Sequence, residues 1–155
     1  MKQLELRRHA PRDPQADRLS PEGRALAEDA GRTAGRTYDL VFVSPAQRAA
    51  ETAAWFLRGA AQQLPEHAVI PGLGGKGATG GSPEGISAGV RALLERLPDG
   101  GTGLAISHTP LVERAAFALT GRETEPFAEC EGILVLQQGD GSIQVEEIRL
   151  GGPAR

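Results

Sequence analysis

Arginine and histidine side chains follow three apolar segments of this sequence. Arg8 and His9 come directly after the first segment, Arg48 follows the second within a few residues, and His108 follows the third. A guanidinium group can bind two phosphoryl oxygens at once, and a neutral imidazole is a good nucleophile. Two arginines and two histidines brought together are what a phosphate dianion requires. The sequence therefore predicts a phosphate site, provided that the fold gathers these residues.

The three apolar segments have the length and composition of buried β-strands. In the first segment Leu4 and Leu6 lie on one face of the strand, and the second segment is entirely apolar. Two later segments, one on each side of Gly139-Asp140-Gly141, alternate apolar and polar residues, a pattern typical of a β-hairpin. The predicted strands are Gln3–Arg8, Leu40–Val43, Ala68–Ile70, Leu104–Ile106, Ile133–Gln137 and Ile143–Ile148.

A hydroxyl residue followed by proline precedes each expected helix. The hydroxyl can accept a free backbone N–H, and proline at the first helical position loses no hydrogen bond. These pairs begin at Ser20, Ser44, Ser82 and Thr109, and the predicted helices are Pro21–Arg36, Pro45–Leu57, Pro83–Leu97 and Pro110–Leu119. Strands alternating with helices predict one α/β domain over residues 1–155, a three-layer α/β/α sandwich with a mostly parallel central sheet. In such sheets ligands bind at the carboxyl ends of strands, where helix N-termini attract anions.

Several segments together resemble the histidine phosphatase superfamily, the phosphoglycerate-mutase-like proteins. Their order and spacing cover nearly the whole chain, and Ser-Pro-x-x-Arg-Ala-x-x-Thr-Ala is the most specific of them. The segments are Arg8-His9, Leu19-Ser20-Pro21-Glu22-Gly23, Ser44-Pro45-Ala46-Gln47-Arg48-Ala49 with Thr52-Ala53, and Ser107-His108.

The resemblance implies a phosphatase that works through a phosphohistidine and needs no metal or organic cofactor. His9 would attack phosphorus as a neutral imidazole, since nearby arginine cations disfavour its protonated form. Arg8, Arg48 and His108 would hold the phosphoryl oxygens and stabilise the transition state. Water would then hydrolyse the phosphohistidine.

Departures from the family pattern bear on the substrate. Arg12 resembles an additional phosphate-binding arginine of the acid-phosphatase branch. However, Thr109 occupies the position at which that branch has its general-acid Asp. Mutase-like members carry a general-acid Glu after the strand at 68–70, whereas the first carboxylate here is Glu84. We expect Arg12, Ser44 and Glu84 on the substrate side of the site. The short chain resembles the small phosphohistidine phosphatase branch, whose imidazole leaving group needs no dedicated acid.

Composition limits the class of protein. The 155 residues carry a net charge of −3 and few aromatic side chains, which disfavours nucleic acid and anionic membranes as partners. A single cysteine, Cys130, and a charged N-terminus fit a cytoplasmic protein. Three scattered histidines predict no metal site. The 21 glycines predict loops that need an open backbone, including a mobile, acid-poor rim over residues 72–85.

The expected partner is a phosphorylated substrate, and phosphohistidine on a protein is preferred. One alternative is a phosphatase for small phosphate monoesters, and another is a phosphate-binding module without turnover. A third is an interaction protein that uses the acidic stretch 123–147, which holds seven carboxylates and no basic residue. A mutase is disfavoured because the usual acid and lid segments are missing.

Overall fold

The computed structural model describes residues 1–65, 67–74 and 82–151. Each strand and helix bound lies within two residues of its expected position. Within these ranges no helix has the length and apolar character needed to cross a bilayer. The strands are β1 (Lys2–Arg8), β2 (Leu40–Val43), β3 (His67–Val69), β4 (Thr102–Ser107), β5 (Gly132–Gln137) and β6 (Ile143–Ile148). The helices are α1 (Pro21–Ala34), α2 (Gln47–Gly59), α3 (Pro83–Arg96) and α4 (Leu111–Thr120), and Pro71–Gly74 forms a 3₁₀ turn.

The strands form one sheet in the order β3-β2-β4-β1-β5-β6. β4 lies between β1 and β2 and is parallel to both, β3 is parallel to β2, and the β5–β6 hairpin adds two antiparallel pairings. The expected mostly parallel sheet is confirmed. Because β1, β4 and β2 are neighbours with one direction, their carboxyl ends lie side by side. This edge brings together the residues that follow them in the sequence.

Helices cover both faces of the sheet. Alternate residues of each strand point to opposite faces, so the apolar strands supply two separate cores. The expected α/β/α sandwich is therefore confirmed. The core beneath α3 and α4 includes Leu4, Leu6, Phe42, Val90, Leu94, Val112 and Ala115. The core beneath α1 and α2 includes Ala27, Ala30, Val41, Val43, Ala53, Phe56, Leu104 and Ile106.

Two helical glycines let α1 and α2 approach closely. A Cβ on Gly31 would lie 1.8 Å from the carbonyl oxygen of Phe56, and one on Gly59 would lie 1.7 Å from that of Glu28. No side chain fits at those distances, because the facing atoms are backbone. The expectation that the glycine excess serves loops is wrong for these two residues, which serve helix packing.

Two of the four expected hydroxyl caps are confirmed. The Ser20 side chain accepts the Gly23 N–H at the start of α1, and the Ser82 side chain accepts the Gly85 N–H at the start of α3. In both cases proline occupies the first turn. These two helices thus begin as the sequence predicts.

The other two expected caps are wrong. α2 begins at Gln47 with no side-chain cap from its own N-cap residue, and the Ser44 hydroxyl contacts His108 instead. α4 begins at Leu111, again without such a cap, and the Thr109 hydroxyl donates to Glu113 at 2.8 Å. The Ser44 oxygen also accepts the Ala46 N–H, at 3.4 Å, but the shortest contact of each of the two hydroxyl groups is with another side chain.

The face of β1 opposite Leu4 and Leu6 carries buried charges. Glu5 is completely buried and accepts hydrogen bonds from Arg7 at 2.7 Å, Arg36 at 2.7 Å and the Tyr38 hydroxyl at 2.6 Å. Arg7 also lies over the ring of Phe56, 4.8 Å from its centroid. Burial and the Glu5 carboxylate raise the pKa of Tyr38, so its hydroxyl remains a donor. This network ties β1 to the segment between α1 and β2.

We expect Glu5→Gln to lower the free energy of unfolding by about 3 kcal/mol, because it leaves the Arg7 cation buried without its anion. The matched control is Glu28→Gln, which breaks an exposed pair with Arg58 and should cost less than about 1 kcal/mol. Urea unfolding of both variants measures the difference. Equal losses would mean that the buried network does not stabilise β1.

Candidate active site

An open cavity of about 430 Å³ lies at the carboxyl edge of the central strands. Three candidate residues reach it from three elements: His9 follows β1, Arg48 lies in the first turn of α2, and His108 follows β4. The complete lining is His9, Pro45, Ala46, Arg48, Gly74, His108 and Thr109. The fold therefore brings together residues that lie up to a hundred positions apart in the chain.

His9 is buried and held in one tautomer. Its Nδ1 lies 2.7 Å from the carbonyl oxygen of Ala10, and Nε2 accepts a hydrogen bond from Arg48 Nε at 3.3 Å. A carbonyl oxygen only accepts, so Nδ1 carries the proton, and a guanidinium only donates, so Nε2 carries a lone pair. The Ala10 N–H in turn donates to the Thr52 hydroxyl at 2.9 Å, which anchors this loop to α2. Nε2 thus carries the lone pair of His9 on the side of Arg48.

His108 is fixed in the opposite tautomer. Arg48 Nη2 donates to its Nδ1 at 3.3 Å, and its Nε2 lies 2.6 Å from the Ser44 hydroxyl oxygen. Nδ1 therefore carries the lone pair, and Nε2 carries the proton that it donates to Ser44. The rings of His9 and His108 meet edge to face, with their centroids 5.1 Å apart.

Arg48 connects the two imidazoles to a carboxylate. Its Nη1 donates to Asp17 Oδ1 at 2.9 Å, while its Nε and Nη2 contact the histidines. A cation in the first turn of a helix opposes the helix dipole. In this structure the Asp17 carboxylate compensates that charge.

Arg8 lies beside the cavity, although it is not one of its lining residues. Its Nη1 donates to the carbonyl oxygen of Phe127 at 3.0 Å, and its Nη2 lies 3.7 Å from a carboxylate oxygen of Glu129. Its buried Nε has no hydrogen-bond partner among the described residues. An unpaired buried N–H is costly, so an acceptor placed beside this group would stabilise the site.

Both imidazoles are neutral at pH 7. Burial lowers the pKa of His9, and the Arg48 and Arg8 cations lower it further, against the opposite effects of the Ala10 carbonyl and Glu129. Burial, His9 and Arg48 lower the pKa of His108 to about 4. Burial and the two arginine cations together keep His9 Nε2 unprotonated.

The three expected substrate-side residues lie in different surroundings. Ser44 is buried and contacts His108 rather than the cavity. Arg12 is exposed, and its Nε donates to the Asp13 carbonyl oxygen at 3.3 Å. Glu84 is exposed in the first turn of α3. None of the three lines the cavity, so their role in substrate binding stays a prediction. Residues 75–81 of the expected glycine-rich rim lie outside the described residues.

Other chemically active side chains do not join the site. Burial raises the pKa of Cys130 to about 12, so this residue remains a thiol. His67 is exposed on β3. Among the described residues, no three His, Cys, Asp or Glu side chains form a group that could hold a metal ion.

Sequence reasoning missed Asp17 and gave no role to Thr52. Asp17 lies in the loop between β1 and α1, thirty positions before its partners on α2. No local spacing marks such a contact. The available signal was indirect: Arg48 places an uncompensated cation at a helix N-terminus, which calls for an anion from elsewhere in the fold.

No protein-family model matches this sequence, and no curated protein matches it. Solved structures do match over almost the whole chain. The protein histidine phosphatase SixA, solved with tungstate, is 25% identical and has a TM-score of 0.71, with 95% of this chain and 96% of that chain covered.

Two further structures are similar at lower identity. Phosphoglycerate mutase from Bacillus anthracis is 16% identical, with a TM-score of 0.76 and coverage of 94% of this chain and 92% of that chain. Phosphoserine phosphatase from Entamoeba histolytica is 16% identical, with a TM-score of 0.73 and coverage of 97% and 98%. The resemblance to the histidine phosphatase superfamily is confirmed, and this chain has the fold of that superfamily.

Proposed function

We propose that this protein is a phosphatase that works through a phosphohistidine on His9 and acts on phosphohistidine carried by a protein. The observation that carries the proposal is the pair of contacts on His9: Nδ1 donates to the Ala10 carbonyl, which leaves the Nε2 lone pair beside the Arg48 guanidinium. The similarity to a protein histidine phosphatase supports the same reaction class.

The first chemical step is an in-line displacement at phosphorus. His9 Nε2 forms the new P–N bond while the bond to the leaving group breaks. Nδ1 keeps its proton, and the Ala10 carbonyl stabilises the charge that the phosphorylated ring gains. Arg48 exchanges its contacts with the two imidazoles for phosphoryl oxygens, and the unpaired Arg8 Nε–H offers a further donor.

The second step returns the enzyme to its resting state. Water attacks the phosphorus of phospho-His9, the P–N bond breaks, and inorganic phosphate leaves with His9 neutral again. Both steps need only residues of this chain and water. His108 orients Arg48 through Nδ1 and is itself held by Ser44.

The leaving group determines the preferred substrate. Its departure as an alkoxide requires a proton donor, and no carboxylate of the described chain lines the cavity. An imidazole leaves more readily than an alkoxide. The open cavity also supports access for a side chain of another protein. Small phosphate monoesters are the second candidate substrates.

The phosphoenzyme tests the nucleophile. Wild-type protein mixed with ³²P-labelled phosphohistidine and quenched should carry acid-labile, base-stable label, whereas His9→Ala should carry none. His67→Ala is the matched control, because His67 is exposed on β3, and it should label like the wild type. Label on His9→Ala would contradict the assignment. Vanadate binding without label or hydrolysis in the wild type would instead identify a phosphate-binding module.

Substrate comparison tests the leaving-group argument. We expect kcat/KM for phosphohistidine to exceed that for phosphoserine by about 10²-fold or more, the typical contribution of a positioned general acid. An aryl phosphate, whose phenolate leaves more easily than an alkoxide, should fall between them. Equal values for phosphohistidine and phosphoserine would show that a proton donor acts at this site.

The pH dependence tests the electrostatics of His9. Because the pKa of His9 is lowered from 6.5, phosphoryl transfer should fall on acidification with a midpoint below pH 6.5, as Nε2 becomes protonated. Arg48→Gln removes a cation that lowers this pKa, so His9 should titrate at higher pH in that variant. NMR titration of the imidazole signals measures the midpoint of His9 in the wild type and in Arg48→Gln. A wild-type midpoint at or above 6.5 would contradict the argument.

A further inference from the structure

Asp17 makes three contacts with the start of α2. Its Oδ2 accepts the Gln47 N–H at 2.9 Å, and its Oδ1 accepts both the Arg48 N–H at 3.1 Å and Arg48 Nη1 at 2.9 Å. The side chain is 45% exposed, so it reaches the helix from the solvent side. One carboxylate thus replaces the helix cap expected from Ser44 and also binds the Arg48 side chain.

The contact with Nη1 determines where the rest of the guanidinium points. This group is planar, so its five N–H bonds move as one rigid fork. With Nη1 held by Asp17, Nε lies 3.3 Å from His9 Nε2 and Nη2 lies 3.3 Å from His108 Nδ1. A free arginine side chain would populate several rotamers and hold this arrangement only part of the time.

We propose that Asp17 is a positioning residue for phosphoryl transfer, because it holds Arg48 in the orientation that serves His9 and His108. This inference rests on the proposed function. Asp17 is not among the residues that line the cavity, so it acts through Arg48 rather than on the phosphoryl group.

The carboxylate is charged in this role. Desolvation acts to raise the pKa of Asp17, but hydrogen bonds from the Gln47 and Arg48 amides, together with the Arg48 guanidinium, hold it below its ordinary value. The negative charge also compensates a cation at the positive end of the α2 dipole. Arg48 can therefore remain beside the buried His9 and the half-buried His108 before any phosphate binds.

A purely structural role would make Asp17 a helix cap and nothing more. Capping needs one acceptor oxygen, and Asn is as good an N-cap as Asp. Binding Gln47 and Arg48 together needs two acceptor oxygens, whereas an amide offers one oxygen and one NH2 group. Asp17→Asn therefore retains one acceptor oxygen for the start of α2, while it loses the second acceptor and the negative charge that hold the Arg48 guanidinium.

Asp13→Asn is the matched control. Asp13 lies in the same loop, accepts the Gln15 N–H at 2.8 Å and pairs with Arg18 at 3.2 Å, without contacting Arg48. The two variants should unfold within about 3 °C of each other, because each changes a loop carboxylate that is in partial contact with solvent.

The first measurement needs no turnover. The ¹⁵N signals of His9 Nε2 and His108 Nδ1, the two nitrogens that accept from Arg48, should move downfield in Asp17→Asn as they lose their donors. They should keep their wild-type positions in Asp13→Asn. Unchanged signals in Asp17→Asn would overturn the proposal, even if the wild-type protein proves not to be a phosphatase.

The second measurement is the rate of phosphoenzyme formation at saturating phosphohistidine. Asp17→Asn should lower this rate about tenfold or more, as expected when a reacting geometry is loosened, while phosphate inhibits at the same or lower concentration because a competing anion is gone. A wild-type rate in Asp17→Asn would overturn the proposal. Absence of phosphoenzyme in the wild type would contradict the proposed function, and the ¹⁵N signals would then decide the position of Arg48 alone.

Discussion

The guanidinium of Arg48 connects both histidines of the candidate site to a carboxylate. Its three nitrogens contact Asp17, His9 and His108, which belong to three separate segments of the chain. Guanidinium groups only donate, so each contact also fixes the protonation of the acceptor. Burial lowers the pKa of both imidazoles, and the permanent cation beside them lowers it further. Arg48 acts here together with the Ala10 carbonyl, which holds Nδ1 of His9, and with the Ser44 hydroxyl, which holds Nε2 of His108.

The sheet must in turn hold the strand ends firmly enough for contacts of about 3 Å to persist. β1 is held by polar contacts on one face and by apolar packing on the other. Its buried Glu5 binds Arg7, Arg36 and Tyr38, while Leu4 and Leu6 pack into the opposite core. A buried carboxylate with three donors has little freedom to shift, because any displacement leaves a charge unpaired. The strand that precedes His9 is therefore fixed on both faces.

Local patterns predicted the strands, the helices and the α/β class, because apolar periodicity and proline at helix starts are signals that span only a few residues. They also identified Arg8, His9, Arg48 and His108 through a resemblance in motif order. The position of β4 between β1 and β2 had no local signal, since strand order depends on contacts between distant segments. The two failed caps have the same origin: Ser44 binds a histidine 64 positions away. Asp17 was missed because its partners lie on another element.

Carboxylates beside Arg8 and Arg48 lower the affinity of the cavity for an anion. Asp17 lies 2.9 Å from Arg48, and Glu129 lies 3.7 Å from Arg8. In the proposed reaction, phosphate would share these cations with resident carboxylates and would be bound less tightly than by two unpaired arginines. The transition state of phosphoryl transfer spreads charge over three equatorial oxygens, and the planar Arg48 fork can meet more than one of them. Binding energy that is withheld from the ground state and realised in the transition state raises kcat, and it also lets inorganic phosphate leave.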